Sequence, residues 1–443
     1  MSFITDKQTI DDLNLTGKRK KDTVFSIFNR TQTRGGTALM EQLFEMPLNH
    51  EDAINERTAV FEFLKKCSTV FEFNTIQFDT IDTYLANTDE RSKLQYETKS
   101  LEQKLKTFIT SDTQRQEALK GIDALIAIGR QSFQYIGAMR QQSVPSLLKR
   151  ILQDMEELLS TPIWLAVLNR KTGSKISYDE AVSLDHLFRF SCRGEIIKLL
   201  EKLYQLDVFY TVSKIARERN WVFATACPAS SSKLIIENLR HPQLSNATPN
   251  SIKLEKPENV IFLTGANMAG KSTLMKSIGI ALYLAHMGFP LSVQSMEFSV
   301  KEGLLTTINL ADNIGMGYSH FYAEVKRIKK MVELAQHNRA FFFIVDELFR
   351  GTNVKDAEEA TIVVTGGFAR KMNTMLMVST HIMEAGTVLK ENHDSIQFLF
   401  LPTTMVDGKP QSNYKLERGI TADRHGMLII KNEGILEILK SKQ

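Results

Sequence analysis

Val260-Ile261-Phe262-Leu263-Thr264-Gly265-Ala266-Asn267-Met268-Ala269-Gly270-Lys271-Ser272-Thr273 is the stretch from which the rest of the 443-residue chain can be read. Val260 to Leu263 is a continuous apolar run of the kind that fills a buried parallel strand. The run breaks at Gly265, and from Lys271 onward Leu274, Ile278 and Leu282 recur at helical spacing. Between strand and helix lies Gly265-x-x-x-x-Gly270-Lys271-Ser272, a P-loop pattern in the strand–loop–helix context it requires. Its glycines let successive backbone N–H groups converge on a phosphate at a helix N-terminus. Lys271 is expected to reach the β- and γ-phosphates of a nucleotide, and Ser272 to ligate Mg²⁺.

A second apolar run, Phe341 to Val345, ends in Asp346-Glu347 about 75 residues after the P-loop lysine. An Asp closing such a strand holds Mg²⁺, and a Glu after it can orient or deprotonate an attacking water. The residues therefore predict ATP hydrolysis, with Asp346 on the metal and Glu347 on the water. A third strand, Met375 to Thr380, delivers His381 to the same carboxyl edge, where open α/β sheets bind ligands. A histidine after a strand is by itself a surface or cap residue. Its place after the two motif strands favours a hydrogen bond to the γ-phosphate. Asp312 to Glu324 carries Gly315, Gly317 and Ser319 just ahead of a helix with an expected core stripe of Phe321, Val325, Ile328, Val332 and Ala335. A hydroxyl at a helix start suits an anion. Because the P-loop already serves this chain's own phosphates, Ser319 is expected to meet a second subunit's nucleotide. Lys326-Arg327-Lys329-Lys330 on that helix reads as a solvated face rather than a DNA contact.

Composition sets outer bounds. With 43% apolar and 24% charged residues the chain belongs among ordinary globular proteins. A net charge of +4 permits nucleic acid as a partner without arguing for it. Cys67, Cys192 and Cys227 stand too far apart for a zinc or disulfide framework, which fits a reducing compartment. No apolar run has the length of a membrane span and Met1 to Lys7 is no signal peptide, so the expected location is cytoplasmic.

The fold class expected is α followed by α/β: an all-helical domain over 1–228, then a P-loop domain with a mainly parallel sheet over 229–443. Ser26 to Glu45 looks helical and broken by Gly35-Gly36, and Lys18 to Lys21 is a basic loop. Two apolar stripes, Leu94, Leu101, Leu105, Phe108 and Ile122, Leu125, Ile126, Phe133, predict long exposed helices, an arm spanning 88–205. Pro162 to Tyr178 is a candidate turn, and helix resumes over Asp185 to Arg219. Phe61-Glu62-Phe63 and Phe71-Glu72-Phe73 read as core packing.

At these residues the chain resembles the MutS family of DNA mismatch-repair ATPases, a branch of the ABC-type ATPases. Thr264 to Thr273 looks like the family P-loop, with Ala266 where Pro is usual and with its particular Asn267-Met268. The resemblance adds Asn267, Met268 and Thr273 to Gly265, Gly270, Lys271 and Ser272 as nucleotide-binding residues. Asp346-Glu347 followed by Arg350-Gly351-Thr352-Asn353, and Ser379-Thr380-His381, are similar to the family's acid pair, Arg-Gly-Thr loop and Thr-His. Ser319-His320-Phe321-x-x-Glu324 resembles its Ser-Thr-Phe-x-x-Glu, whose Ser reaches the partner's γ-phosphate. Arg240-His241-Pro242 and Pro249-Asn250 are similar to the segment entering the ATPase domain. Ser26 to Thr31, Gly35-Gly36 and Met46 to Arg57 look like the opening of the helical core domain, and Leu206-Asp207-Val208 like its closing helix.

The resemblance implies an ATP-driven homodimer joined through its ATPase domains that repositions helical arms around duplex or branched DNA. Departures from the family narrow this. The mismatch-reading and connector domains are expected to be absent, the clamp at about 150–195 to be reduced, and no C-terminal helix–turn–helix to follow Ile435 to Lys440. An ATP-gated scaffold that grips another protein is the rival expectation. A transporter or chromosome-structure ATPase is disfavoured, because no Leu-Ser-Gly-Gly-Gln signature occurs.

Overall fold

The computed structural model of the protein describes residues 3–17, 22–96, 112–168, 176–308, 320–406, 409–421 and 438–439. The chain forms two compact units that do not follow chain order. One comprises Met1–Ile27, Phe44–Thr58 and Glu218–Gln443; the other Phe28–Leu43 and Ala59–Arg217. The change in composition and the onset of alternating strands and helices place one divide near 228, whereas two early segments pack into the α/β unit. Hydrogen bonds explain why. Tyr283 donates to the Phe44 carbonyl at 2.5 Å, Leu48 and His286 pair through backbone and ring at 2.9 and 2.7 Å, and Arg57 donates to the Met287 carbonyl at 3.0 Å.

The helical unit is built on the helix Asp112–Met139, which packs against Thr75–Ala86, Ser146–Leu159, Pro162–Leu168 and Tyr178–His186. Ile122, Leu125 and Ile126 of the expected stripe are buried, but Phe133 is 54% exposed. Leu101, Leu105 and Phe108 lie outside the described residues. Pro162–Leu168 is a short helix rather than a turn, because Trp164 is buried with its ring 5.7 Å from that of Phe188. Phe61, Phe71 and Phe73 are buried, as their spacing predicts. Among the described residues of 88–205 there is no strand.

Gly35-Gly36 does not break its helix but opens it, in Arg34–Glu45. A Cβ on Gly36 would lie 2.5 Å from the Asp207 carboxylate, and one on Gly35 2.3 Å from the Tyr204 ring. Asp207 is fully buried on the helix Arg193–Glu218 and accepts from the Gln32 and Thr33 amides and the Thr33 hydroxyl. The two glycines are there so that the helices can approach.

The α/β unit holds β1 (Thr225–Cys227), β2 (Leu234–Leu239), β3 (Asn250–Leu254), β4 (Val260–Gly265), β5 (Ser295–Ser299), β6 (Gly303–Thr307), β7 (Phe341–Val345), β8 (Met375–Ser379), β9 (Ile396–Leu401), β10 (Thr403–Val406), β11 (Lys409–Ser412) and β12 (Glu417–Arg418). One sheet runs β1-β5-β2-β3, and a six-stranded sheet runs β12-β9-β4-β8-β7-β6. In the larger sheet β6–β7, β7–β8, β8–β4 and β4–β9 pair parallel and β12–β9 antiparallel. Strands buried on both faces need unbroken apolar runs, and Phe262, Phe341, Phe343, Leu376 and Val378 supply them. Leu263 sits opposite Ser379, and Val345 opposite Val378, so β4, β7 and β8 end side by side.

Candidate functional site

β4 turns at Gly265 (φ +148°) through Ala266–Ala269 into the helix Lys271–His286, whose N-cap is Gly270 (φ +99°). Both angles favour glycine, and a side chain at Gly270 would also press the Tyr414 ring at 3.0 Å. Asn267 and Met268 are exposed on the turn, Met268 with a left-handed φ of 68°. Ser272 and Thr273 face outward from the first helical turn. Lys271 is buried, and its ammonium donates to the Gly265 and Ala266 carbonyls at 2.8 and 3.1 Å. Burial pulls the Lys271 pKa down, against the opposing pull of the Asp346 and Glu347 charges.

Asp346 joins the P-loop to β8. It accepts from the Ser272 hydroxyl at 2.5 Å through one oxygen and from the Ser379 hydroxyl through the other. Ser379 in turn accepts from the Glu347 amide at 3.1 Å. Glu347 has φ 55° and Phe349 φ 61°, a left-handed conformation that is uncommon for such residues and that clusters at active sites. That bend aims the Glu347 carboxylate at His381 Nε2 (3.0 Å) and Arg350 Nη1 (3.1 Å). Burial pushes the Glu347 pKa up, yet hydrogen bonds and charge from Arg350 and His381 outweigh it and leave it lowered.

The structure therefore brings Lys271, Ser272, Asp346, Glu347 and His381 to one sheet edge. Ser319 lies outside the described residues. The helix that follows it, His320–Leu334, buries Ile328, Met331 and Ala335, while Val325 and Val332 of the expected stripe are 36% and 42% exposed. Its basic cluster is not uniformly a solvated face. The Arg327 side chain is only 11% exposed and pairs with Asp6.

Three further residues join the site in roles that the sequence reading did not assign. Ser379 is a fully buried hydroxyl at the end of an apolar strand, quoted above only as the residue ahead of Thr380-His381. Arg350 shows its role only through its contact with Glu347. Tyr414 closes a cavity of about 270 Å³ beside Gly270 and Thr273, lined also by His241, Leu244 and Asn250. Asn250 fixes it there, donating to the Tyr414 carbonyl at 2.9 Å and accepting from the Leu416 amide at 2.8 Å. Burial and the nearby Lys276 charge lower the His241 pKa, so this wall of the cavity favours neutral imidazole.

Residues 261–441 match the family MutS domain V. The DNA mismatch repair protein MutS of Pseudothermotoga lettingae is 26% identical over 321 residues, 69% of this chain and 38% of the relative. MutS of Petrotoga mobilis is 25% identical over 307 residues, 68% and 36% of the two chains, and that of Aquifex pyrophilus 26% over 256, 55% and 29%. The chain thus spans between 29% and 38% of the length of these relatives. The family model covers the larger part of the α/β half, and that half is similar to MutS domain V.

Proposed function

We propose that the protein is an ABC-type, Mg²⁺-dependent ATP hydrolase whose two copies share their nucleotides and act on DNA, as the relatives named for DNA mismatch repair suggest. The observation that carries this reading is the convergence of Lys271, Ser272, Asp346, Glu347 and His381 at the ends of three adjoining strands. The P-loop amides and Lys271 bind the polyphosphate, and the cavity beside Gly270 receives the base against Tyr414. Ser272 and Asp346 form a hydroxyl–carboxylate pair of hard oxygen donors 2.5 Å apart, which fits Mg²⁺. That ion would supply charge neutralisation at the β- and γ-phosphates. Glu347 orients water for in-line attack and accepts its proton, while His381 steadies the carboxylate and reaches the γ-phosphate. Ser319 completes the partner's site. Asn267, Met268 and Thr273 line the nucleotide's approach.

Glu347→Gln tests the assignment. The variant should bind MgATP with an affinity like the parent's and lose hydrolysis by roughly 10²–10⁴-fold. Parental turnover in that variant would remove Glu347 from the chemistry.

A further inference from the structure

Within the α/β unit the P-loop is braced by strands that lie far from it in sequence. β4 pairs parallel with β9 as far as Gly265 opposite Leu401. A Cβ on Gly265 would lie 3.1 Å from the Leu401 carbonyl oxygen, so the end of β9 presses on the first residue of the loop. Beyond β9, β10 and β11 pair antiparallel with Thr403 opposite Ser412, and Tyr414 follows just after β11.

Ser412 stands where these paths meet. Its hydroxyl proton is within reach of two carbonyls, that of Ala269 in the P-loop at 3.3 Å and that of Pro402 at 3.2 Å. The same oxygen accepts from the Tyr414 amide at 3.0 Å. A hydroxyl both donates and accepts, so one side chain ties the loop to the tyrosine. With Asn250 on the Tyr414 carbonyl, both backbone groups of that residue are engaged. Tyr414 needs such bracing, because its φ of 57° is left-handed and uncommon for a bulky residue. Its ring remains 50% exposed and lies over Gly270, the N-cap of the P-loop helix. An aromatic ring fixed before the ligand arrives can stack on a planar base with little further loss of freedom. The bond from Ser412 to Ala269 sets where that ring stands relative to the phosphate loop.

We infer that Ser412 is a positioning residue for the nucleobase, holding Tyr414 against the P-loop so that base and triphosphate are bound as one ligand. This rests on the proposed placement of the base beside Gly270. Ser412 acts through Tyr414 and not on the phosphates, so its loss weakens nucleoside triphosphates and spares bare polyphosphate. A residue that merely supported the fold would weaken both alike.

The test uses the full chain with MgATP as substrate and magnesium-bound inorganic tripolyphosphate as a competing ligand. Ser412→Ala should raise KM for ATP about threefold or more and keep kcat within about twofold of the parent. The inhibition constant of tripolyphosphate should stay within about twofold of the parent's. Ser412→Thr, which retains a hydroxyl, should recover most of the affinity. Tyr414→Ala should itself raise KM, and adding Ser412→Ala to it should raise KM by less than about twofold more, since residues acting through one another are not additive. A smaller rise in KM for Ser412→Ala, an equal loss on tripolyphosphate, or full additivity with Tyr414→Ala overturns the inference, while an active parent leaves the ATPase reading standing. Parental KM in Tyr414→Ala removes the base from this cavity and the inference with it. A parent that binds neither ligand overturns both readings.

Discussion

Two hydroxyls and a carboxylate fix the geometry of the candidate site at the scale of single residues. Ser379 donates to Asp346 while accepting from the Glu347 amide, so one buried atom aligns both acids. Ser379→Ala should lower stability by about 1–3 kcal/mol, the usual result of leaving a buried polar partner unsatisfied. Turnover should fall by about 10- to 100-fold, because sub-ångström misplacement of a reacting group is costly. Denaturant melts and steady-state assays on one preparation check both. Glu347 offers a pH test. Its lowered pKa keeps it ionised as pH falls through the usual carboxylate range, so the acid limb of kcat/KM should be displaced to low pH. Arg350→Ala removes the contact and charge that counter burial, and should move that limb upward; an unmoved limb would mean Arg350 does not tune the base. The P-loop and the acid pair were legible because their members are neighbours in sequence. Ser379 and Tyr414 act across strands, where no local pattern records the contact.

Elements reveal a second kind of information that sequence withholds. The β4, β7 and β8 runs announce themselves, since strands covered on both faces must be continuously apolar. By contrast, Lys301 follows β5 with nothing local to mark it, yet it is fully buried beside His286, whose Nε2 accepts from the Lys301 amide while Nδ1–H donates to the Leu48 carbonyl. Burial drives the Lys301 pKa from 10.5 to about 7 and that of His286 from 6.5 to about 3. Both groups bind protons more tightly in the unfolded chain. Stability should therefore rise with pH from about 7 toward 10 through Lys301, and fall as pH drops from about 6.5 toward 3 through His286. Lys301→Met should flatten the alkaline slope of the urea midpoint and leave the acid slope in place; an unchanged alkaline slope would locate it elsewhere. Gly35-Gly36 was misread for a related reason, since helix-breaking propensity is local and the Asp207 and Tyr204 contacts are not. Gly36→Ala should cost about 1–3 kcal/mol, as overpacking does.

For the whole molecule, the proposed sharing of nucleotides between two copies makes a prediction of its own. If each site borrows Ser319 from a partner, specific activity must rise with protein concentration until dimers saturate. The proposed action on DNA is tested separately. A chain of net charge +4 has no large global field to draw phosphates in, so any DNA contact must come from local Lys and Arg side chains, each displacing counterions. Binding should then fall linearly on log–log axes with salt, with slope about −0.9 per phosphate neutralised. It should also favour branched over plain duplex, because a junction bends without the elastic cost of an intact helix. Gel shifts at low salt, with ATP and with the slowly hydrolysing Glu347→Gln variant, decide the matter. A shift that responds to nucleotide supports a DNA-engaging switch, whereas an active, dimerising ATPase that shifts no DNA form would assign the same switch to a protein partner.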